Sequence, residues 1–153
     1  MKTLEQLIGE HPFFAGFAPE HVALIAGCGV IAHFEPGTYL FQAGLAAKHF
    51  FLIRHGAVSL ELQPPGREAF RFATAMAGEV VGWSWLIPPY EWQFDARAID
   101  RVRVVQFDGL CLRGKCDADP VLGYAVMKAF AAVLVDRFVD TRLQLIDVYG
   151  REA

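Results

Sequence analysis

Residues 36–62 read PGTYLFQAGLAAKHFFLIRHGAVSLEL. Gly37, Gly44 and Gly56 divide this stretch into short apolar runs in which Tyr39 and Phe41, Phe51 and Ile53, and Val58 and Leu60 stand two residues apart. A spacing of two puts each pair on one face of an extended strand, and glycine accepts the positive φ that a sharp corner between strands demands. Short strands broken at glycines are the pattern of a small antiparallel roll. Gly78 and Gly82 bracket a further turn. The expected fold is therefore a β-roll of the jelly-roll or double-stranded β-helix type from about residue 30 to about residue 108, mainly β with flanking helices.

A long helix is expected after the roll. Asp119 followed by Pro120 is an N-cap and first-turn pair, and no Gly or Pro interrupts the pattern from Tyr124 to Tyr149. Tyr124, Met127, Ala131, Leu134, Phe138, Thr141, Leu145 and Val148 are spaced alternately three and four apart, which is a heptad seam. The seam continues beyond what a small roll can cover, so a two-fold homodimer through this helix is expected. A second stripe, Leu122, Val126, Phe130 and Val133, should lie against the roll, and Gly150 should end a helix of about residues 120–149.

These pieces, in this order, resemble the cyclic-nucleotide-binding domain of the catabolite-activator and Fnr superfamily. In that family PGxxLFxxG, here Pro36 to Gly44, is followed by a hydrophobic strand and a second glycine turn. HPFFAGFAPEHVALIAG at 11–27 is similar to the family's N-terminal helical lead-in, so helices are expected within about residues 3–27. GEVVG at 78–82 is similar to the start of its phosphate-binding cassette, and residues 120–149 to its dimer helix. The resemblance covers almost the whole chain, 1–153, as a single domain.

Departures from the family carry the functional content. The family's turn runs Gly-Glu, two apolar residues, then Gly-Glu, and its second glutamate holds the ribose hydroxyl; here Gly78, Glu79 and Gly82 are kept, but Trp83 stands at that second carboxylate. Downstream the family places an arginine that pairs with the cyclic phosphate. Counting back along Ala98, Ala96 and Phe94, the inward set of the next strand, puts Trp92 at that position. An indole has one N–H donor and no charge, so it cannot replace a bidentate guanidinium against a phosphate. Arg97 is the candidate replacement, although period-two alternation points it away from the inward set. The expected site comprises Gly78, Glu79, Gly82, Trp83, Ser84, Trp85, Trp92 and Phe94, with Arg97 beside them, and cAMP and cGMP are expected to fit it poorly.

Composition bounds the remaining choices. With 54% hydrophobic and 20% charged residues among 153, the chain is not disordered and fills one domain. A net charge of −3 without a basic run argues against direct nucleic-acid binding. The absence of a membrane-length apolar run or a signal-peptide core points to a cytoplasmic protein without membrane contact. Cys28, Cys111 and Cys116 are isolated in sequence and are expected as reduced thiols. No His-x-His with a following Glu occurs, so neither a metal nor a cofactor is expected, and no nucleophile with its base suggests an enzyme.

Transcription factors of the superfamily carry a helix-turn-helix after the dimer helix, whereas only Arg151, Glu152 and Ala153 follow Gly150 here. The resemblance implies a stand-alone regulatory module that signals to another protein. Two readings stay open. Either the aromatic pocket binds a small flat or apolar molecule, or its own side chains fill it and WSWLIPPYEW serves as core and partner surface in a structural subunit.

Overall fold

A computed structural model describes residues 2–152, with side chains described through residue 140 and at Ile146. The lead-in is two short helices, α1 (Leu4–Glu10) and α2 (Pro19–Ala26), joined by a 3-10 turn at Pro12–Phe14. Thr3 begins α1 with a reciprocal cap: its hydroxyl accepts the Gln6 N–H at 3.2 Å and the Gln6 side chain accepts the Thr3 N–H at 2.8 Å. Ile8, Phe14, Val22 and Ile25 bury the inner faces of this lead-in.

Eight strands follow: β1 (Gly29–Phe34), β2 (Tyr39–Phe41), β3 (His49–His55), β4 (Ala57–Leu62), β5 (Phe70–Met76), β6 (Val80–Val81), β7 (Asp95–Ala98) and β8 (Val102–Asp108). They form two four-stranded sheets, ordered β1-β8-β3-β6 and β2-β7-β4-β5. Every pairing between them is antiparallel, as the glycine-broken pattern predicts. The β3–β4 corner needs its glycine, because Gly56 has φ +90° and a methyl group there would stand 2.5 Å from the Arg101 carbonyl oxygen.

β3 departs from simple alternation. Phe50, Phe51, Leu52 and Ile53 are all buried, because the strand has the second sheet on one side and helices on the other. Phe51 meets Phe34 and Phe41 on the sheet side, with ring centroids 5.8 and 6.1 Å away. Phe50 stacks on Phe107 at 4.5 Å and on Trp85 at 4.9 Å, and meets Phe130 of the terminal helix edge-on at 5.1 Å.

Two helices close the chain, α3 (Gly109–Ala118) and α4 (Pro120–Glu152). α3 is an addition to the sequence reading. Asp108 caps it, accepting the Cys111 N–H at 3.0 Å, but Gly109 and Gly114 weaken its helical signature and its fully buried residues are Gly109 and Leu112. The expected start of α4 is present: Asp119 Oδ1 accepts the N–H groups of Val121 and Leu122 at 3.1 and 3.2 Å. Leu122, Val126 and Phe130 are buried against the roll. The expected stop at Gly150 is corrected, since the helix continues to Glu152; a glycine in a helix weakens it by about 0.5–1 kcal/mol and does not by itself break it.

The expected set of reduced thiols is also corrected. Cys28, just before β1, and Cys111 on α3 form a disulfide across a Cα–Cα distance of 5.9 Å, a closeness that their separation of 83 residues hides in the sequence. Cys116 is free, and burial first, with Asp117 and Asp119 adding to it, pushes its thiol up to about 11. No helix among the described residues is long and apolar enough to cross a membrane.

Candidate ligand-binding site

The site begins where β5 turns into β6. Gly78 donates its N–H to the Ile53 carbonyl at 3.0 Å, and the Glu79 carboxylate accepts the Met76 N–H at 2.7 Å, so Glu79 closes the turn from within. The chain leaves β6 through Gly82 at φ +98° and enters a turn in which the Leu86 N–H reaches the Trp83 carbonyl at 3.1 Å. Trp92 lies directly over Gly82. A methyl group at residue 82 would stand 2.9 Å from two carbons of the Trp92 ring, so this approach is open to glycine and closed to larger residues. Trp92 also stacks on Phe41, with centroids 3.7 Å apart and planes 10° from parallel. The position where the resemblance calls for a phosphate-binding arginine is thus occupied by a buried aromatic pair.

Beside this pair a cavity of about 160 Å³ remains between the roll and α4. Val80, Val81 and Gly82 form part of its wall, Phe72, Trp83 and Phe94 contribute rings, and Val133, Leu134 and Arg137 come from α4. Phe94 meets Phe72 edge-on at 5.4 Å and Trp83 at 6.3 Å. The walls are almost entirely apolar. Of the residues expected at the site, the structure brings Gly82, Trp83, Trp92 and Phe94 together, with Gly78 and Glu79 at its approach.

Other expected site residues lie elsewhere. Ser84 and Trp85 are buried, and the Trp85 ring sits in the helix-side aromatic layer between Phe50 and Phe130 rather than on the cavity. Ser84 Oγ and Trp85 Nε1 have no hydrogen-bond partner among the described residues. The Trp85 carbonyl accepts a hydrogen bond from Arg113 of α3 at 2.5 Å, and that guanidinium lies 4.0 Å from the centroid of the Tyr90 ring. Arg97 is turned away from this cavity. β7 pairs with β4 so that Arg97 stands opposite Ser59, and alternation turns it to the outer face while Ala96 and Ala98 face inward.

On that outer face Arg97 Nη2 donates to Glu61 Oε2 at 2.8 Å, the Ser59 hydroxyl donates to the same oxygen at 2.6 Å, and Arg71 Nε donates to Ser59 Oγ at 2.8 Å. Burial opposes ionisation of Glu61, but Ser59 and the two guanidinium groups outweigh it and hold the carboxyl below its ordinary value. Arg97 is committed to a structural ion pair.

Several site residues lay outside the sequence reading. Strand periodicity puts Phe41 on a strand but does not put it under Trp92, and Phe72, Val80 and Val81 carry no distinguishing motif. Leu134, expected in the dimer seam, is half-buried and lines the cavity. Val133 reaches the cavity from the roll-facing stripe that the helix periodicity gives.

Residues 31–119, more than half of the chain, match the family model for the cyclic nucleotide-binding domain. Among curated proteins none matches the chain significantly. The structure is similar to a Geobacter metallireducens protein described as a candidate cyclic nucleotide-binding protein, at 29% identity and a TM-score of 0.79, covering 90% of this chain and 99% of that one. A cyclic nucleotide-binding domain from Methylobacillus flagellatus gives a TM-score of 0.79 at 17% identity, covering 94% of this chain and 81% of that one. The catabolite activator protein of Thermus thermophilus gives 0.69 at 24% identity, with 91% of this chain aligned to 63% of that one. On the family match and this roll architecture, the chain belongs to the cyclic nucleotide-binding domain family.

Proposed function

We propose that this chain is a regulatory module whose roll has given up the cyclic phosphate and kept an apolar ligand cavity against α4. The observation that carries the reading is the Trp92–Phe41 stack over Gly82. It fills the arginine position with rings and leaves a cyclic phosphate without the charge-assisted pairing that makes guanidinium–phosphate contacts strong. Trp83 supplies no carboxylate for a ribose. A bound molecule would instead meet Val133 and Leu134 of α4 directly, which gives the cavity a mechanical connection to that helix.

Signalling would then pass to another protein through a homodimer on α4. Tyr124 and Phe138 are 69% and 66% exposed on the single chain, and Met127 is exposed beside them, so the helix presents an apolar face that the roll does not cover. The side chains of Thr141, Leu145 and Val148 lie outside the described residues. No direct DNA binding is part of this function, in keeping with the net charge of −3.

The second reading, a ligand-free structural or interaction subunit, is supported by the same stack, whose two rings occupy part of the interior of the roll. The open cavity beside them favours a ligand. Thermal unfolding tests the nucleotide claim, because a ligand that binds only the folded state raises Tm increasingly as its concentration exceeds its Kd. Millimolar cAMP or cGMP should leave Tm unchanged; a rise of several degrees would overturn the reading.

A further inference from the structure

Building on the reading that the roll keeps a cavity but not a cyclic-nucleotide site, we propose that this cavity receives a single aromatic ring bearing a cationic amine. Size sets the first limit. About 160 Å³ is close to the roughly 150 Å³ of an apolar cavity known to stay dry and admit benzene. One ring fits, and a base with its ribose and phosphate does not. Phe72, Trp83 and Phe94 offer ring faces and edges to such a guest, while Val133 and Leu134 supply aliphatic contact from α4.

Charge sets the second limit. A neighbouring space of about 280 Å³ shares Val80, Val133 and Arg137 with the cavity and adds Glu79, Asp136 and Asp140. Among the described residues three carboxylates and one guanidinium line this space, and that guanidinium lies 3.9 Å from Glu79. His11, which adjoins Pro12 and Phe13 of the same space, is held toward its neutral form by burial and adds little positive charge. A cleft with an excess of one sign beside a low-dielectric wall concentrates the opposite charge and repels its own. The approach thus selects an ammonium and disfavours a carboxylate or phosphate, the reverse of what an anionic nucleotide needs.

Calorimetry at low ionic strength with three probes of one shape tests this: phenethylamine, phenethyl alcohol and phenylacetate. The amine should bind about threefold more tightly than the alcohol, an advantage of the size that partly exposed ion pairs supply. Phenylacetate should be weakest, and added salt should shrink the differences. The double variant Asp136→Asn, Asp140→Asn should bring the amine's affinity down to the alcohol's and leave the alcohol's unchanged. Both substitutions are on exposed positions of α4, so the fold is retained. Equal binding of all three probes, preference for phenylacetate, or an unchanged amine preference in the double variant would overturn the charge assignment. Binding of none of them would overturn the ligand assignment, while the refusal of cyclic nucleotides, measured separately, would stand or fall on its own.

Discussion

Gly82 and Trp92 work as a pair, since the missing side chain at one makes room for the ring of the other. Removing the ring should therefore be costly: Trp92→Ala is expected to destabilise the fold by about 3–5 kcal/mol, measured by urea unfolding, because it deletes a buried indole and leaves a void beside Phe41. A loss below about 1 kcal/mol would mean that the stack is dispensable. Another residue with a defined role is His11, whose Nδ1 accepts the Phe13 N–H while Nε2 donates to the Ile53 carbonyl, each at 3.2 Å. Only the neutral ring can do both, and burial lowers its pKa from the ordinary 6.5 against the weaker raising effect of the Ile53 carbonyl. The folded pKa lies below the unfolded one, so the contribution is complete above pH 6.5 and is lost as the pH falls from there through the folded value. His11→Asn keeps an acceptor for the turn but does not titrate, so denaturant stability should lose this part of its pH dependence; an unchanged slope would place the effect on another group. Trp92 itself was legible, because the inward run of Phe94, Ala96 and Ala98 fixes its place. Its partner was not, since β2 meets β7 with a register irregularity between Tyr39 and Phe41 that strand periodicity does not encode.

At the scale of elements, α4 divides into two faces. Leu122, Val126 and Phe130 are buried on the roll, and Tyr124, Met127 and Phe138 are turned outward. The roll-facing stripe was readable from its apolar positions, because a helix writes its faces into sequence at fixed spacing, whereas the heptad seam does not stay on one face, since its member Leu134 lines the cavity. α3 was less readable: it has two glycines, a narrow apolar contact, and a capping aspartate that is equally at home in a turn. The outward face of α4 gives a direct test. Phe138→Asp should leave the roll folded, since the side chain is 66% exposed in one chain, yet convert the proposed dimer to a monomer in sedimentation by placing charge on its contact face. A variant that sediments as the parent dimer would put the interface on a different face.

Across the whole molecule, two aromatic layers lie on either side of the β3 sheet. The helix-side layer of Phe50, Trp85, Phe107 and Phe130 joins roll to α4, and the inner layer of Phe34, Phe41, Phe51 and Trp92 fills the roll. This arrangement explains why the glycine-punctuated strands were legible as a roll while β3 hid its two-sided burial, since a run of Phe-Phe-Leu-Ile carries no alternation to read. The Cys28–Cys111 disulfide fastens the start of β1 to α3. Such bonds persist in oxidising compartments and are reduced by cytosolic thiol pools, so the bond and the expected cytoplasmic location pull in opposite directions. Thiol titration of the denatured, unreduced protein should find one free thiol per chain, that of Cys116; three would show that the pair stays reduced. The central claim is that the roll has exchanged its phosphate partner for a stacked indole. Isothermal calorimetry of the purified protein with cAMP tests it most directly: no saturable heat should appear up to millimolar nucleotide, whereas a stoichiometric isotherm with a micromolar Kd would contradict the account.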